Sequence, residues 1–130
     1  MNAAPLFSKI ALIGFGLIGG SIARAARAQG LAGEIVATAR SAGTRARVAE
    51  LGIVDRVVET NAEAARDADL VILCIPVGAC GPVAQEIADR LKPGAIVSDV
   101  GSVKGAVVRE MAPHLPGGVH FVPAHPVAGT

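Results

Sequence analysis

This 130-residue sequence contains no tryptophan or tyrosine, three phenylalanines and only two cysteines. Two cysteines cannot form the disulfide framework of a small secreted domain, and Cys74 lies inside an apolar run, so free thiols in a reducing compartment are expected. No apolar run reaches the roughly 18 residues of a membrane-spanning helix, and the opening MNAAPLFS lacks the basic start of a signal peptide. These absences predict a cytoplasmic protein with no membrane partner.

The sequence also lacks an excess of either charge. Twelve Lys and Arg residues face eleven Asp and Glu residues, which leaves a net charge of +1 without a basic block or an acidic tail. Nucleic acid is therefore not expected as a partner, and no metal site is predicted. The length fits one ordinary domain.

Short apolar runs alternate with segments of helical spacing. Strands are predicted over 10–13, 35–37, 57–58, 70–75, 95–97 and 119–122. Helices are predicted over 17–28, 44–51, 62–66, 83–91 and 103–111. Strands that are apolar on both faces indicate a parallel sheet covered on both sides. The predicted fold class is α/β, a doubly wound, mostly parallel Rossmann sheet with helices on both faces.

The stretch GFGLIGGS follows the first strand and opens the first helix. In the GxGxxG pattern, the first glycine permits a tight turn, the second lets the backbone approach a pyrophosphate, and the third lets helix and strand pack closely. A glycine-rich turn without a ligand is the alternative. The predicted cofactor-binding residues of this turn are Gly14, Phe15, Gly16, Leu17, Ile18 and Gly19.

The end of the second strand reads ATARS, without the acid that usually binds the ribose hydroxyls of NAD. Ala39 takes the place of that acid. Arg40 is suited to pair with a 2′-phosphate, with hydrogen bonds added by Ser41 or Thr44. This favours NADP over NAD, although a solvated arginine remains the alternative because acid-free NAD sites exist.

The stretch CIPVGAC follows the fourth strand, at the sheet edge where ligands of such folds bind. Pro76 is expected to end the strand beside the cofactor, with Cys74 and Ile75 lining the same place. The spacing of Cys74 and Cys80 is not that of a redox pair, so we predict a packed thiol and a thiol in a loop or at a helix start.

The fifth strand is followed by SDVGSVKG, in which Asp99, Ser102 and Lys104 gather polar groups just before a helix. Ser102 is either a functional residue or simply the cap of that helix.

The sixth strand is followed by PAHPVAGT, where His125 lies between two prolines that restrict the backbone. A histidine held in this way suits a general base, because its unperturbed pKa is about 6.5. A structural histidine in a turn is the alternative. His114 and His120 are predicted to be solvated or structural.

Together, GFGLIGGS, DVGSVKG and HPVAGT resemble the prephenate and arogenate dehydrogenase family, and the likeness covers essentially the whole chain. The resemblance implies NAD(P)-dependent oxidative decarboxylation of prephenate or arogenate in tyrosine biosynthesis. It also implies that His125 is the catalytic proton acceptor, that Ser102 binds the substrate hydroxyl and the histidine, and that Thr130 helps to hold the substrate.

The family continues past this threonine into a helical domain that adds substrate-binding groups and a dimer interface. Residues 1–130 are therefore predicted to be the NAD(P)-binding domain, inactive alone and part of a homodimer when the second domain is present. Two alternatives remain open. One is another Rossmann oxidoreductase, of the 3-hydroxyacid dehydrogenase or imine reductase type, and the other is a non-catalytic NAD(P)-binding module.

Overall fold

A computed structural model of the chain describes residues 4–124. Six strands within this range form a single sheet in which every neighbouring pair is parallel. The strands are β1 (Phe7–Ile13), β2 (Ala32–Thr38), β3 (Arg56–Val58), β4 (Leu70–Leu73), β5 (Ile96–Asp99) and β6 (His120–Val122). Their order in the sheet is β3-β2-β1-β4-β5-β6, which confirms the predicted doubly wound Rossmann fold.

Helices connect the parallel strands, which cannot be joined by tight hairpin turns. The α-helices are α1 (Gly16–Ala28), α2 (Ala42–Leu51), α3 (Asn61–Ala65), α4 (Val77–Ile87) and α5 (Lys104–Met111). Two 3₁₀ turns, Ala88–Arg90 and Ala112–His114, extend α4 and α5. Among the described residues, no helix has both the length and the apolar character that crossing a bilayer demands.

The core consists of two apolar layers, one on each face of the sheet. Successive strand residues point to opposite faces, so Ile10 and Leu12 of β1 pack towards α1 and α2. Ala11 and Ile13 of the same strand pack on the other face, with α3, α4 and α5. Burial on both faces explains why the central strands read as continuous apolar runs.

The strand order reverses between β1 and β4, which are hydrogen-bonded neighbours with Ile13 opposite Leu73. From β1 the chain proceeds outward to β2 and β3, then returns to β4 and proceeds the other way. In open α/β sheets this reversal leaves a crevice at the carboxyl ends of the strands. The segments that follow β1, β2, β4 and β5 all meet there.

The predicted boundaries around β4 and α4 were wrong. The strand ends at Leu73 rather than at residue 75, and the helix begins at Val77 rather than at residue 83, with Pro82 inside it. Two glycines and a proline give residues 77–82 little helical propensity. Packing decides instead, because Cys80 and Gly81 are buried, and a Cβ on Gly81 would stand 3.2 Å from the Glu110 carbonyl oxygen of α5.

Candidate functional site

The turn between β1 and α1 is built on two glycines in the left-handed region, Gly14 at φ +76° and Gly16 at φ +53°. Side chains other than hydrogen are strained at such values, which explains the residue type at both positions. The Gly14 N–H donates to the Thr38 carbonyl oxygen at 3.0 Å, which fixes the turn at the end of β2.

The three motif glycines have different surroundings. A Cβ on Gly14 would overlap the backbone of Cys74 and stand 2.6 Å from Ile75 Cγ2, so this glycine permits a close approach within the fold. A Cβ on Gly16 would have nothing within 4 Å, so its open side faces a space that a ligand can enter. A Cβ on Gly19 would make only ordinary contacts, the nearest at 3.6 Å. The close packing predicted for the third glycine therefore falls on the first.

The first turn of α1 presents backbone N–H groups to the crevice. The N-cap, Phe15, makes no side-chain capping bond, and the turn contains no acidic residue. The first N–H groups of a helix have no intrahelical acceptor, and the helix dipole places partial positive charge at the same end. With Gly16, Leu17 and Ile18 exposed there, the turn has the features of a pyrophosphate-binding site.

Two cavities open on either side of Phe15 and the segment from Cys74 to Pro76. The smaller, of about 540 Å³, is mainly apolar and extends from the first turn of α1 to Val100, Gly101 and Ser102. The larger, of about 970 Å³, extends from Gly14 past the end of β2 to the start of α3 and to α4. A ligand lying across the α1 terminus would thus have room on both sides.

The residues that follow β2, which are predicted to bind the cofactor, line the larger cavity. Ala39 is buried, whereas Arg40 is exposed, and no hydrogen bond or ion pair of its side chain occurs within residues 4–124. Ser41 is the N-cap of α2. Its hydroxyl oxygen accepts from Thr44 N at 3.1 Å, and its hydroxyl donates to Thr44 Oγ1 at 2.8 Å. Arg40 is therefore better placed than either hydroxyl to pair with a phosphate.

Three features of this cavity were missed from the sequence. The Arg45 guanidinium donates to the carbonyl oxygens of Ala39 at 2.8 Å and Arg40 at 3.3 Å, and so braces the end of β2. The carboxylates of Glu59 and Glu86 also line the cavity. The sequence offers only a positional indication of these residues. Arg45 lies one helical turn after the N-cap Ser41, and Glu59 directly follows β3, so both lie near the carboxyl ends of strands.

Asn61 belongs to the same wall, where its amide Nδ2 donates to Glu86 Oε2 at 3.1 Å. The cavity is therefore lined by acidic side chains of α4 and the end of β3 as well as by Arg40. Acceptors of this kind suit the hydroxyls and exocyclic amine of a nucleoside, whereas they would repel a second anionic group.

The thiols have structural surroundings. Cys74 follows β4 and burial raises its pKa from 9.0 to about 12, which keeps it protonated. Cys80 is buried in the first turn of α4, in keeping with the predicted helix start, and burial also raises its pKa. Both are free thiols, as predicted. Within residues 4–124, no group of three His, Cys, Asp or Glu side chains is arranged to hold a metal ion.

Ser102 lies in the loop after β5, exposed on the wall of the smaller cavity. The N-cap of α5 is Val103, and no side chain caps that helix, so the capping alternative for Ser102 was wrong. An exposed hydroxyl on the wall of an apolar cavity is available to a ligand. His125 and Thr130 lie outside the described residues, and their predicted roles are not tested there.

Asp99 and Lys104, whose roles were left open, form an ion pair beneath this loop. The Asp99 side chain is completely buried and accepts from Gly101 N at 2.8 Å, from Ala124 N at 3.3 Å and from Lys104 Nζ. His120 begins β6 and His114 lies in a 3₁₀ turn, so neither follows the carboxyl end of a strand.

Comparison with known proteins identifies one family, and one relative is an enzyme of another kind. The family described as "Prephenate dehydrogenase, nucleotide-binding domain" matches residues 22–130. Cyclohexadienyl dehydrogenase of Zymomonas mobilis is 42% identical over 125 residues, which are 96% of this chain and 42% of that protein. Pyrroline-5-carboxylate reductase of Pseudomonas aeruginosa is 40% identical over 93 residues, which are 71% of this chain and 34% of that protein.

Two solved structures agree in fold and sequence. The structure of prephenate dehydrogenase from A. aeolicus in complex with hydroxyphenyl propionate and NAD⁺ has a TM-score of 0.83 and 30% identity, and the match covers 95% of this chain and 43% of that one. Synechocystis arogenate dehydrogenase has a TM-score of 0.81 and 32% identity, with 94% and 42% covered. The chain thus spans less than half the length of these proteins.

Proposed function

Because this chain belongs to the prephenate dehydrogenase family, as its nucleotide-binding domain, we propose that it binds NAD(P) for the oxidative decarboxylation of prephenate, arogenate or both in tyrosine biosynthesis. The observation that carries the proposal is the turn at Gly16. Its open side and exposed N–H groups lie between two cavities at the reversal of the strand order.

The described residues fit a dinucleotide. The pyrophosphate would be held at the first turn of α1 and the adenosine in the larger cavity beside Ala39, Arg40 and Ser41. The nicotinamide would lie in the smaller cavity, between the segment from Cys74 to Pro76 and Ser102. When bound, the nicotinamide supplies the chemistry of accepting a hydride from the carbon that bears the ring hydroxyl.

The chain's own residues would handle the proton. A neutral His125 accepts the proton of the ring hydroxyl as the hydride leaves, and loss of CO₂ then makes the ring aromatic, which drives the reaction. Ser102 orients the hydroxyl and Thr130 helps to hold the substrate. Positioning and proton acceptance of this kind contribute roughly 10²- to 10⁴-fold in rate.

NADP is our proposed cofactor, with NAD as the alternative. Arg40 supports NADP because its exposed side chain lines the cavity proposed for the adenosine, where a 2′-phosphate could pair with it, and position 39 is an alanine rather than an acid. Glu59 and Glu86 oppose a second anionic group in the same cavity. The preference therefore depends on how closely Arg40 approaches the ribose.

We further propose that the substrate's carboxylates are bound by groups outside residues 1–130 and that the whole enzyme is a homodimer. The length of the relatives, of which this chain spans about 42%, supports the first of these. The homodimer is what the resemblance to the family implies. A pocket shared by two domains cannot orient its ligand with one, so the isolated chain should bind cofactor without turnover.

Calorimetric titration with NADP⁺ and NAD⁺ tests the cofactor proposal, with Gly16→Val as the disrupting variant. A valine side chain would occupy the pyrophosphate's space, so binding should be abolished. Gly30→Val is the matched control, because Gly30 also has a left-handed φ, +64°, and open space around it. Retained affinity in Gly16→Val, or equal loss in both variants, would show that the loop is only a turn.

The activity is tested on the natural protein, by which we mean the whole protein as the organism makes it. Prephenate or arogenate is added with each cofactor, and the absorbance of the reduced nicotinamide is followed. Turnover of either substrate is expected. Binding of cofactor without turnover of either would instead support a non-catalytic NAD(P)-binding module.

A further inference from the structure

The ion pair of Asp99 and Lys104 is joined to the backbone that leads out of β6. Asp99 is the last residue of β5, and its buried carboxylate accepts from three donors, Gly101 N, Ala124 N and Lys104 Nζ. A buried carboxylate requires such partners, because an unpaired charge in the core is strongly disfavoured. The loop after β5 and the segment after β6 are thereby held by one side chain.

Lys104 completes the connection from the other side. It is the first residue of α5, and its ammonium donates both to Asp99 and to the Ala124 carbonyl oxygen. The N–H and the carbonyl of Ala124 are therefore both bonded to the same ion pair. Hydrogen bonds in which one partner is charged are stronger than neutral ones, so the backbone at Ala124 is firmly held.

The surroundings leave the pair little freedom. A Cβ on Gly101 would stand 3.1 Å from Asp99 Oδ2 and 3.0 Å from Val107 Cγ2, so the carboxylate is closely packed against its own loop. A buried ion pair is generally no more stabilising than well-packed apolar residues. The property that apolar residues would lack is the directional hold on Ala124, the residue directly before His125.

We propose that Lys104, acting with Asp99, is a positioning residue. It fixes the backbone of Ala124 and thereby the placement of the next residue, the predicted proton acceptor His125. The inference rests on the proposed function, since it concerns the placement of that base. It assigns to the ion pair an effect on turnover rather than on cofactor binding, because the described hydrogen bonds of Lys104 are with Asp99 and Ala124, neither of which lines the two cavities.

The test uses the natural protein with Lys104→Met, which removes the ammonium, and Lys104→Arg, which retains the charge and the donors. Amide hydrogen exchange of the peptide containing Ala124, cofactor affinity, kcat and KM are measured for each. We expect Lys104→Met to lose exchange protection at Ala124 and at least about tenfold in kcat, with cofactor affinity within about twofold. Lys104→Arg should recover part of both losses.

Lys92→Met is the matched control. Lys92 pairs with Asp69, whose carboxylate accepts from Ser8 N and Lys9 N near the start of β1. This ion pair lies at the amino ends of the strands, whereas Asp99 lies at the carboxyl end of β5. This variant should leave kcat and Ala124 exchange unchanged. If Lys104→Met does not fold, Lys104→Gln, which retains a donor, is measured against Lys104→Arg in the same way.

Normal kcat in a folded Lys104→Met, or an equal fall in Lys92→Met, would overturn the inference. The proposed function is separated from it by His125→Asn. If His125→Asn lowers kcat and Lys104→Met does not, only the positioning inference fails. If neither variant lowers kcat, His125 is not the base, and both the proposed mechanism and the positioning inference fail.

Discussion

Gly14 packs against the carbonyl oxygen of Cys74 so closely that a Cβ atom on Gly14 would overlap it. The turn after β1 is thereby fixed to the end of β4, on the side of the crevice where the two cavities meet. Gly14 and Gly16 therefore have different surroundings in one motif, the first packed within the fold and the second on the open wall of the smaller cavity.

Gly14→Ala should destabilise the protein more than Gly16→Ala. Both substitutions place a side chain at positive φ, which costs about 1–2 kcal/mol, but only the alanine at residue 14 also collides with backbone. Denaturant unfolding of the two variants measures the difference. Equal loss of stability would mean that the loop moves away from Cys74 at little cost.

Arg40→Ala should weaken NADP binding by about 1–3 kcal/mol and leave NAD binding nearly unchanged, because a charged hydrogen bond to the 2′-phosphate is lost. Calorimetry with both cofactors gives the comparison. Arg47→Ala is the control, since Arg47 is an exposed arginine of α2 that does not line the cavity. Tighter binding of NAD than NADP by the unmodified protein would contradict the preference.

Ser102→Ala should lower kcat/KM in the natural protein while leaving its stability unchanged, because Ser102 is exposed and caps no helix. Ser41→Ala is the comparison in which stability is expected to fall. Its hydroxyl oxygen accepts from Thr44 N, so its loss should cost about 1 kcal/mol of stability. Thermal unfolding and kinetics of both variants are needed, and unchanged kinetics in Ser102→Ala would argue against substrate contact.

His125→Asn should lower kcat by roughly 10²-fold or more with cofactor affinity retained, the usual scale for loss of a general base. The unmodified enzyme should lose kcat as the pH falls through the pKa of the base, because a protonated imidazole cannot accept the hydroxyl proton. His120→Asn is the control, at the exposed start of β6. A His125→Asn variant that retains the acidic limb would place the base elsewhere.

Cys74 is half-buried and lines both cavities, so a reagent can reach it, but desolvation raises its pKa to about 12. At pH 9, where an ordinary thiol is half ionised, it should therefore be alkylated more slowly in the folded protein than in denaturant. Since the folded-state pKa is raised, this thiol's contribution to stability is complete below about pH 9 and declines towards pH 12. The rate of Cys74 alkylation is measured by iodoacetamide labelling of Cys80→Ala, in which Cys74 is the remaining cysteine, both folded and in denaturant. Equal rates in both states would contradict the raised pKa of Cys74.

The alternation of apolar runs and helical spacing was sufficient for the class of fold and the existence of the six strands. It failed at α4, because the segment VGACGP has poor helical propensity and only its burial against the sheet and α5 makes it helical. The motif predicts which residues bind the cofactor, and the structure brings Gly16, Arg40, Pro76 and Ser102 to the walls of two adjoining cavities.

The sequence by itself determined which residues carry the local requirements of the site. Glycine is required where φ is positive, and the apolar periods of two and 3.6 residues specify the strands and helices that place it. These are properties of each residue and its near neighbours along the chain. They needed no knowledge of what lies across the sheet.

Only the tertiary structure decided the relationships between distant segments. Three relationships bring together groups from separate elements or loops: the bonds of Arg45 to the end of β2, the lining of one cavity by Arg40, Glu59 and Glu86, and the bond of Asp99 to Ala124. Asp99 and Ala124 are 25 residues apart in the chain, yet one hydrogen bond joins them because β5 and β6 are neighbours in the sheet. Contacts of this kind follow from strand order and packing, which local spacing does not encode.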